Sequence, residues 1–391
     1  MKRVLSITVC VVGVVAIGAA VWLWLRAQQP PAAPPVSTTP SKTETPKPAP
    51  PPPSSYEDTV LAKMSLREKV ASLLMLNTPG TDAAVLGQYV SQYGAGGFIV
   101  MGNNVPVGDE QMRSVSAALR GDDKKLPRLV GIDQEGGTVR RLMGDTYASA
   151  LTLKNQPVDA TTQAFAARSA MVQSVGATLN FGIIADTTAN PASFIYDRVL
   201  GTTPQTAADR VAAAVKASEG KTLTTLKHFP GHGETTADSH ISIPTTAISL
   251  SEWQARDKPP FQAGITAGAD VIMTGHLRYS AVDAAPASLS AKWHGILRDE
   301  LGFKGVIITD AMGMLQASGD AAYSDPIQNA VMALAAGNDM LLYVTLSIDP
   351  NQLIDGIVAA VNDGRIKQAS VNDSAKRVMT LRAKSAGLVT N

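Results

Sequence analysis

The chain has 391 residues, 45% of them hydrophobic, and a formal net charge of +1, which suffices for one large cored domain or two smaller ones. Near-neutral charge and only 5% aromatic residues give no ground for a nucleic-acid partner. The single cysteine, Cys10, excludes an internal disulfide and a cysteine-based zinc site.

The first predicted element is a membrane segment. Lys2 and Arg3 precede an uncharged, largely apolar run over residues 4–25. At about 1.5 Å per residue in a helix, this run reaches roughly 33 Å, enough to cross a hydrocarbon core. It continues past the small-residue stretch Gly18-Ala19-Ala20, where a signal peptidase could cut, through Trp22 and Trp24. The expectation is an uncleaved signal-anchor over residues 1–27, with a cleaved, secreted form as the alternative. Lys2, Arg3 and the amino terminus outweigh Arg26, so the N-terminus is expected in the cytoplasm and the bulk of the chain outside it. Residues 28–55 are rich in Pro, Ala, Ser and Thr, a composition that reads as an extended disordered linker.

From residue 56 to residue 391 the composition is that of one globular domain. Eight short apolar runs recur: 73–78 (LLMLNT), 97–102 (GFIVMG), 129–133 (LVGID), 180–186 (NFGIIAD), 224–229 (TTLKHF), 270–276 (DVIMTGH), 305–310 (GVIITD) and 339–344 (DMLLYV). Runs of this kind fit strands buried on both faces of a parallel sheet. Helix-like stretches such as 205–219 and 326–336 separate them. The α/β alternation predicts a single (β/α)8 TIM-like barrel, with a doubly wound sheet as the alternative. No glycine-rich dinucleotide fingerprint follows an early strand.

Barrel chemistry is built at the C-terminal ends of the strands. Those ends carry Asp133, Asp186, Lys227 with His228, His276 and Asp310. One polar residue there could merely cap the next helix. Five strand ends on one rim predict a shared polar site. Three of the five histidines lie in Lys227-His-Phe-Pro-Gly-His-Gly-Glu-Thr-Thr-Ala-Asp-Ser-His240. Pro230, Gly231 and Gly233 preclude a regular helix, so the helical His-x-x-x-His zinc pattern does not apply to His228 and His232. A looped metal site of His228, His232, His240 and Asp238 stands as a minor alternative. The favoured reading is acid–base chemistry, with the Asp238 carboxylate two residues before the His240 imidazole. No metal or cofactor is expected.

This loop resembles the signature of glycoside hydrolase family 3, in particular its NagZ-type β-N-acetylglucosaminidases. Ile132-Asp-Gln-Glu-Gly-Gly137, Ala269-Asp-Val-Ile-Met-Thr-Gly-His276 and Leu301-Gly-Phe-Lys-Gly-Val-Ile-Ile-Thr-Asp310 resemble further family blocks, in family order. The resemblance implies that Asp310 is the nucleophile and His240 the acid/base, with Asp238 orienting it. It implies that Asp133, Lys227 and His228 grip sugar hydroxyls. Arg198 is implied as a further sugar ligand, although Tyr196-Asp-Arg-Val-Leu-Gly201 departs from the usual Arg-Ser-Phe-Gly pattern. His232 and Glu234 read as shaping the loop.

The activity implied is retaining hydrolysis of terminal β-linked N-acetylglucosamine in cell-wall glycans, through a covalent glycosyl-Asp310 intermediate. The partner implied is a carbohydrate, with the membrane as a second partner through the N-terminal helix. Two rival readings are a β-N-acetylglucosaminide phosphorylase and an inactive, membrane-tethered sugar-binding protein. Retention of Asp310, Asp238 and His240 together argues against the second.

Overall fold

Eight parallel strands close into a barrel. The computed structural model describes residues 56–121 and 126–388; the expected anchor and linker lie outside the described residues. Among the described residues, no helix is long and apolar enough to cross a membrane.

The barrel strands are β1 (Leu74–Leu76), β2 (Gly97–Val100), β3 (Leu129–Ile132), β4 (Leu179–Ile184), β5 (Leu223–Phe229), β7 (Val271–Thr274), β9 (Val306–Ala311) and β10 (Met340–Leu342). Two short strands, β6 (Thr245–Thr246) and β8 (Arg278–Tyr279), form a separate parallel pair. Each barrel strand pairs with its neighbours in sequence, and β10 returns to β1. That closure selects the barrel over the open doubly wound sheet. All eight apolar runs become barrel strands, with ends displaced by a residue or two. The helix expected over 326–336 forms as Pro326–Ala336: Asp325 caps its first turn, and Gly337 ends it in the left-handed region.

Barrel and helices pack together through several apolar clusters. Met75, Ile99, Phe181, Met273 and Ile308 are buried in the largest core cluster. Gly131 makes room among them, since a Cβ there would lie 2.6 Å from the Phe181 ring. Phe98, Val100, Val130 and Ile132 instead pack with Met112, Val115 and Leu119 of the helix Asp109–Arg120. Strands covered on both faces need apolar residues at every position, which is why the runs are continuous rather than alternating.

The β5–β7 register shifts between Leu226 and Phe229, the stretch holding Lys227 and His228. The Lys227–His228 and Phe229–Pro230 peptide bonds are both cis.

Candidate active site

A cavity of about 550 Å³ opens at the C-terminal rim. Asp133, Arg198, Lys227, His228, His240 and Asp310 all line it. Two rim residues expected in the shared site stand behind it instead. Asp186 and His276 are buried and orient groups that face the cavity.

Lys227 is the centre of the floor. Its Nζ lies 3.0 Å from Asp133 Oδ1 and 2.8 Å from Glu135 Oε1. Arg198 clasps Glu135 with two hydrogen bonds of 2.8 and 2.7 Å, and Arg141 donates to Asp133 Oδ2 at 3.0 Å. A bidentate guanidinium–carboxylate pair fixes both planes. Burial would push the Glu135 carboxyl up, but Arg198 and Lys227 outweigh it and hold the group at about 2. Burial likewise works against the Lys227 ammonium, and Asp133 with Glu135 reverses it, raising its pKa. Lys227 therefore stays charged. Arg198 is thus brought to the floor despite the departure in its flanking sequence.

His228 is held from behind. Asp186 Oδ2 accepts from its Nδ1 at 2.7 Å, and Asp186 Oδ1 accepts from its backbone N–H at 3.1 Å. Nδ1 therefore carries a proton, and Nε2 lies 3.4 Å from Arg198 Nη2. His276 is held similarly. Its Nε2 donates to the Ala311 carbonyl at 3.1 Å, and its Nδ1 accepts from the Ser288 hydroxyl at 2.6 Å. This ring supports the strand end that presents Asp310.

Asp310 ends the apolar part of β9, where its Oδ1 accepts from the Ala311 N–H at 2.7 Å. Burial opposes its charge, yet His228, the Ala311 N–H and Lys227 hold the carboxyl below its ordinary range. It is an ionised carboxylate at neutral pH.

The loop after β5 carries the dyad. Asp238 Oδ1 accepts from both the backbone N–H and the Nδ1 of His240, at 2.9 and 2.7 Å. Slight burial opposes the Asp238 charge, and the two bonds from His240 overcome it, so its pKa is lowered. With Nδ1 engaged by Asp238, Nε2 is the ring nitrogen left able to exchange a proton. The start of the loop is fixed: Trp253 Nε1 donates to the Pro230 carbonyl at 2.8 Å, and the Tyr279 hydroxyl to the Gly231 carbonyl at 2.7 Å. Gly233 passes so close to the chain after β4 that a Cβ would lie 1.8 Å from the Thr187 carbonyl oxygen. Glu234 turns away to Arg256 at 2.7 Å. Without any helix, the His228 and His232 rings still meet edge to face, 5.9 Å apart. Among the described residues, no group of three or more His, Cys, Asp or Glu is placed to hold a metal ion.

Sequence reasoning did not single out Arg141, Arg168, Phe194 or Ser239. Arg168 lies on the helix Val158–Ser174 yet is wholly buried, donating to Asp145 at 2.6 Å and to the Ala148 carbonyl at 3.1 Å. It stiffens the loop that follows Glu135. Its neighbours in Ala-Phe-Ala-Ala-Arg-Ser-Ala-Met are small or apolar, which was the available signal that this arginine faces inward.

Residues 65–381 match the glycosyl hydrolase family 3 N-terminal domain. The β-hexosaminidase of Stenotrophomonas maltophilia (strain R551-3) is 33% identical over 253 residues, covering 62% of this chain and 75% of the relative. An uncharacterized secreted glycosyl hydrolase of Arthroderma benhamiae is 30% identical over 329 residues, covering 80% of this chain and 91% of the relative. The family 3 β-N-acetylglucosaminidase of Paenibacillus sp. str. FPU-7 superposes with a TM-score of 0.78 at 29% identity, over 84% of this chain and 64% of that one. The β-N-acetylhexosaminidase of Beutenbergia cavernae gives a TM-score of 0.72 at 27% identity, over 82% of this chain and 99% of that one. The match runs from the first barrel helix into the last, and the chain belongs to glycosyl hydrolase family 3.

Proposed function

We propose that this β-N-acetylhexosaminidase-type glycoside hydrolase removes terminal β-linked N-acetylglucosamine from peptidoglycan-derived glycans with retention of configuration. One observation carries the reading: a carboxylate on a strand end and the histidine of an Asp–His dyad on a loop face a single sugar-sized cavity. Asp310 attacks the anomeric carbon and forms the glycosyl ester. The bond to the leaving oxygen breaks as His240 gives that oxygen the proton on Nε2. His240 then takes a proton from water, whose oxygen displaces Asp310. Asp133, Arg198, Lys227 and His228 hold the sugar hydroxyls.

Water is favoured over phosphate as the acceptor. The lining holds three cations, Arg141, Arg198 and Lys227, against four carboxylates, Asp133, Glu135, Asp197 and Asp310. Each of those cations is already paired with a carboxylate, so the cavity offers a phosphate dianion no spare positive charge.

The test is release of 4-nitrophenol from the β-N-acetylglucosaminide and the β-glucoside by the full-length chain, with and without phosphate. Cleavage of the acetamido sugar without phosphate is expected, with Asp310→Ala lowering it at least about 10⁴-fold. A requirement for phosphate, with a sugar 1-phosphate as product, would establish the phosphorylase. Sugar binding without cleavage would establish the binding protein. The anchor reading of residues 4–25 further puts the barrel on the outer face of the membrane. A reporter fused after Asn391 that works only in the cytoplasm would refute that location.

A further inference from the structure

The dyad does not position itself. Asp238 and His240 are bonded mainly to each other, and the side chain of His240 is 60% exposed. Between them sits Ser239, the one buried residue in the stretch from Thr235 to Ser242. Its hydroxyl lies 3.0 Å from His232 Nε2. His232 is 1% exposed, and its backbone N–H donates to Asp186 Oδ1 at 2.7 Å. That same oxygen accepts from the His228 backbone N–H, while its partner oxygen fixes the His228 ring.

A continuous chain of hydrogen bonds therefore runs from the sugar-facing ring of His228, through Asp186 and His232, to the residue between Asp238 and His240. The Phe194 ring closes the same corner, 5.6 Å from the His232 ring and 5.7 Å from the His240 ring. His232 does not line the cavity, so it has no access to substrate. Burial, reinforced by the neighbouring His228, lowers its pKa, which keeps the ring neutral near neutral pH. The ring packs against Phe194 and His228, and its Nε2 is given to the Ser239 hydroxyl.

We propose that His232 and Ser239 form an anchor that sets the position of His240, and that Asp186 ties this anchor to the strand end that grips the sugar. The proposal rests on the assignment of His240 as the proton donor. Ser239 lines the cavity but turns its hydroxyl to His232, so that Ser239, His232 and Asp186 are positioning residues that act through His240 and His228. The physical reason for such an anchor is geometric. A proton donor displaced by about 1 Å loses on the order of 10²-fold in rate, and a dyad on an exposed loop needs a tie to the barrel to hold its place.

The test exploits the difference between leaving groups. The full-length chain and its Ser239→Ala and Ser239→Thr variants are assayed on two substrates. N,N′-diacetylchitobiose has a sugar leaving group that needs a proton; the 2,4-dinitrophenyl β-N-acetylglucosaminide has one that departs without it. Ser239→Ala is expected to lower kcat/KM on the disaccharide about tenfold or more and on the dinitrophenyl glycoside less than about threefold. Ser239→Thr, which keeps the hydroxyl, is expected to restore the disaccharide activity. An equal loss on both substrates, or no loss on either, overturns the anchor. His240→Ala, run alongside, separates this failure from failure of the reading beneath it. If His240→Ala shows the leaving-group split and Ser239→Ala does not, the anchor alone is wrong. If His240→Ala loses both substrates equally, the proton-donor assignment is wrong and the anchor falls with it.

Discussion

The floor and the loop of this site are built by opposite rules. The floor joins side chains from three separate segments into one buried ion cluster, with Lys227 between Asp133 and Glu135, and Arg198 across Glu135. The loop places Asp238 and His240 two positions apart, bonded to each other, with 60% of His240 and 37% of Asp238 side-chain surface exposed. Recognition of hydroxyl groups needs fixed charges, which only a cross-braced floor supplies. Proton transfer needs one nitrogen at one oxygen, and a short dyad suffices if something else sets where it stands. On the proposed mechanism, stability and catalysis therefore separate here. Damage to the floor falls on both, whereas damage to the loop falls on catalysis.

Glu135→Gln is the strongest way to break that contrast. Removing one member of a buried ion cluster leaves charge uncompensated and is expected to cost about 3 kcal/mol of stability. Thermal unfolding measures it. The cost should depend on pH with a definite sign. The folded-state pKa of Glu135 is depressed to about 2 from an ordinary 4.5. Its contribution is therefore complete above the ordinary value and is lost as pH falls toward 2. The stability gap between wild type and Glu135→Gln should narrow across that window. A gap that is constant from neutral pH down to pH 2 contradicts the cluster as described.

Asp238→Ala acts on the loop instead. It removes the orienting partner and leaves the proton-transfer nitrogen in place. The expected loss is about 10- to 100-fold in kcat/KM on a disaccharide substrate, with a change in stability under about 1 kcal/mol. Steady-state kinetics and a melting curve decide it. A loss of several kcal/mol in stability would show that the loop is braced like the floor.

Arg256→Ala is the smallest expected effect. Its partner Glu234 belongs to the histidine-rich loop, but 55% of the Arg256 side chain is exposed. The Glu234 side chain is only 9% exposed, but with the guanidinium in solvent the pair contributes about 1 kcal/mol, so stability should fall by about that much and kcat/KM by less than about fivefold. A larger kinetic loss would make Glu234 part of the loop's positioning.

Much of this was legible in the sequence because closed parallel sheets demand it. Eight apolar runs follow from strands buried on both faces, and the strand-end polar residues follow from barrel geometry. The run over 305–310 predicts both β9 and the Asp310 near its C-terminal end. The Asp238–His240 pair is local, so its bond is readable from adjacency. What was hidden depends on contacts across long sequence separations. Ser239 is one small hydroxyl among several in its loop, and nothing near it in the chain reveals that it meets His232. Asp186 and His276 end apolar strands as Asp133 and Asp310 do, and sequence does not tell which turn toward the cavity. Their partners decide that: His228 and His232 draw Asp186 behind the floor, and Ser288 with Ala311 holds His276 there. Arg198 shows the reverse case. Its flanking residues depart from the family pattern, while Glu135 fixes its guanidinium at the floor.

The most direct measurement is to trap the glycosyl intermediate. In His240→Ala the second step lacks its base, while a 2,4-dinitrophenyl leaving group lets the first step proceed without an acid. Intact-protein mass spectrometry of this variant with the dinitrophenyl β-N-acetylglucosaminide should reveal an adduct of one N-acetylglucosaminyl group. Peptide mapping should locate it on Asp310. An adduct on another residue, or turnover that gives the inverted anomer with no adduct at all, would contradict the account.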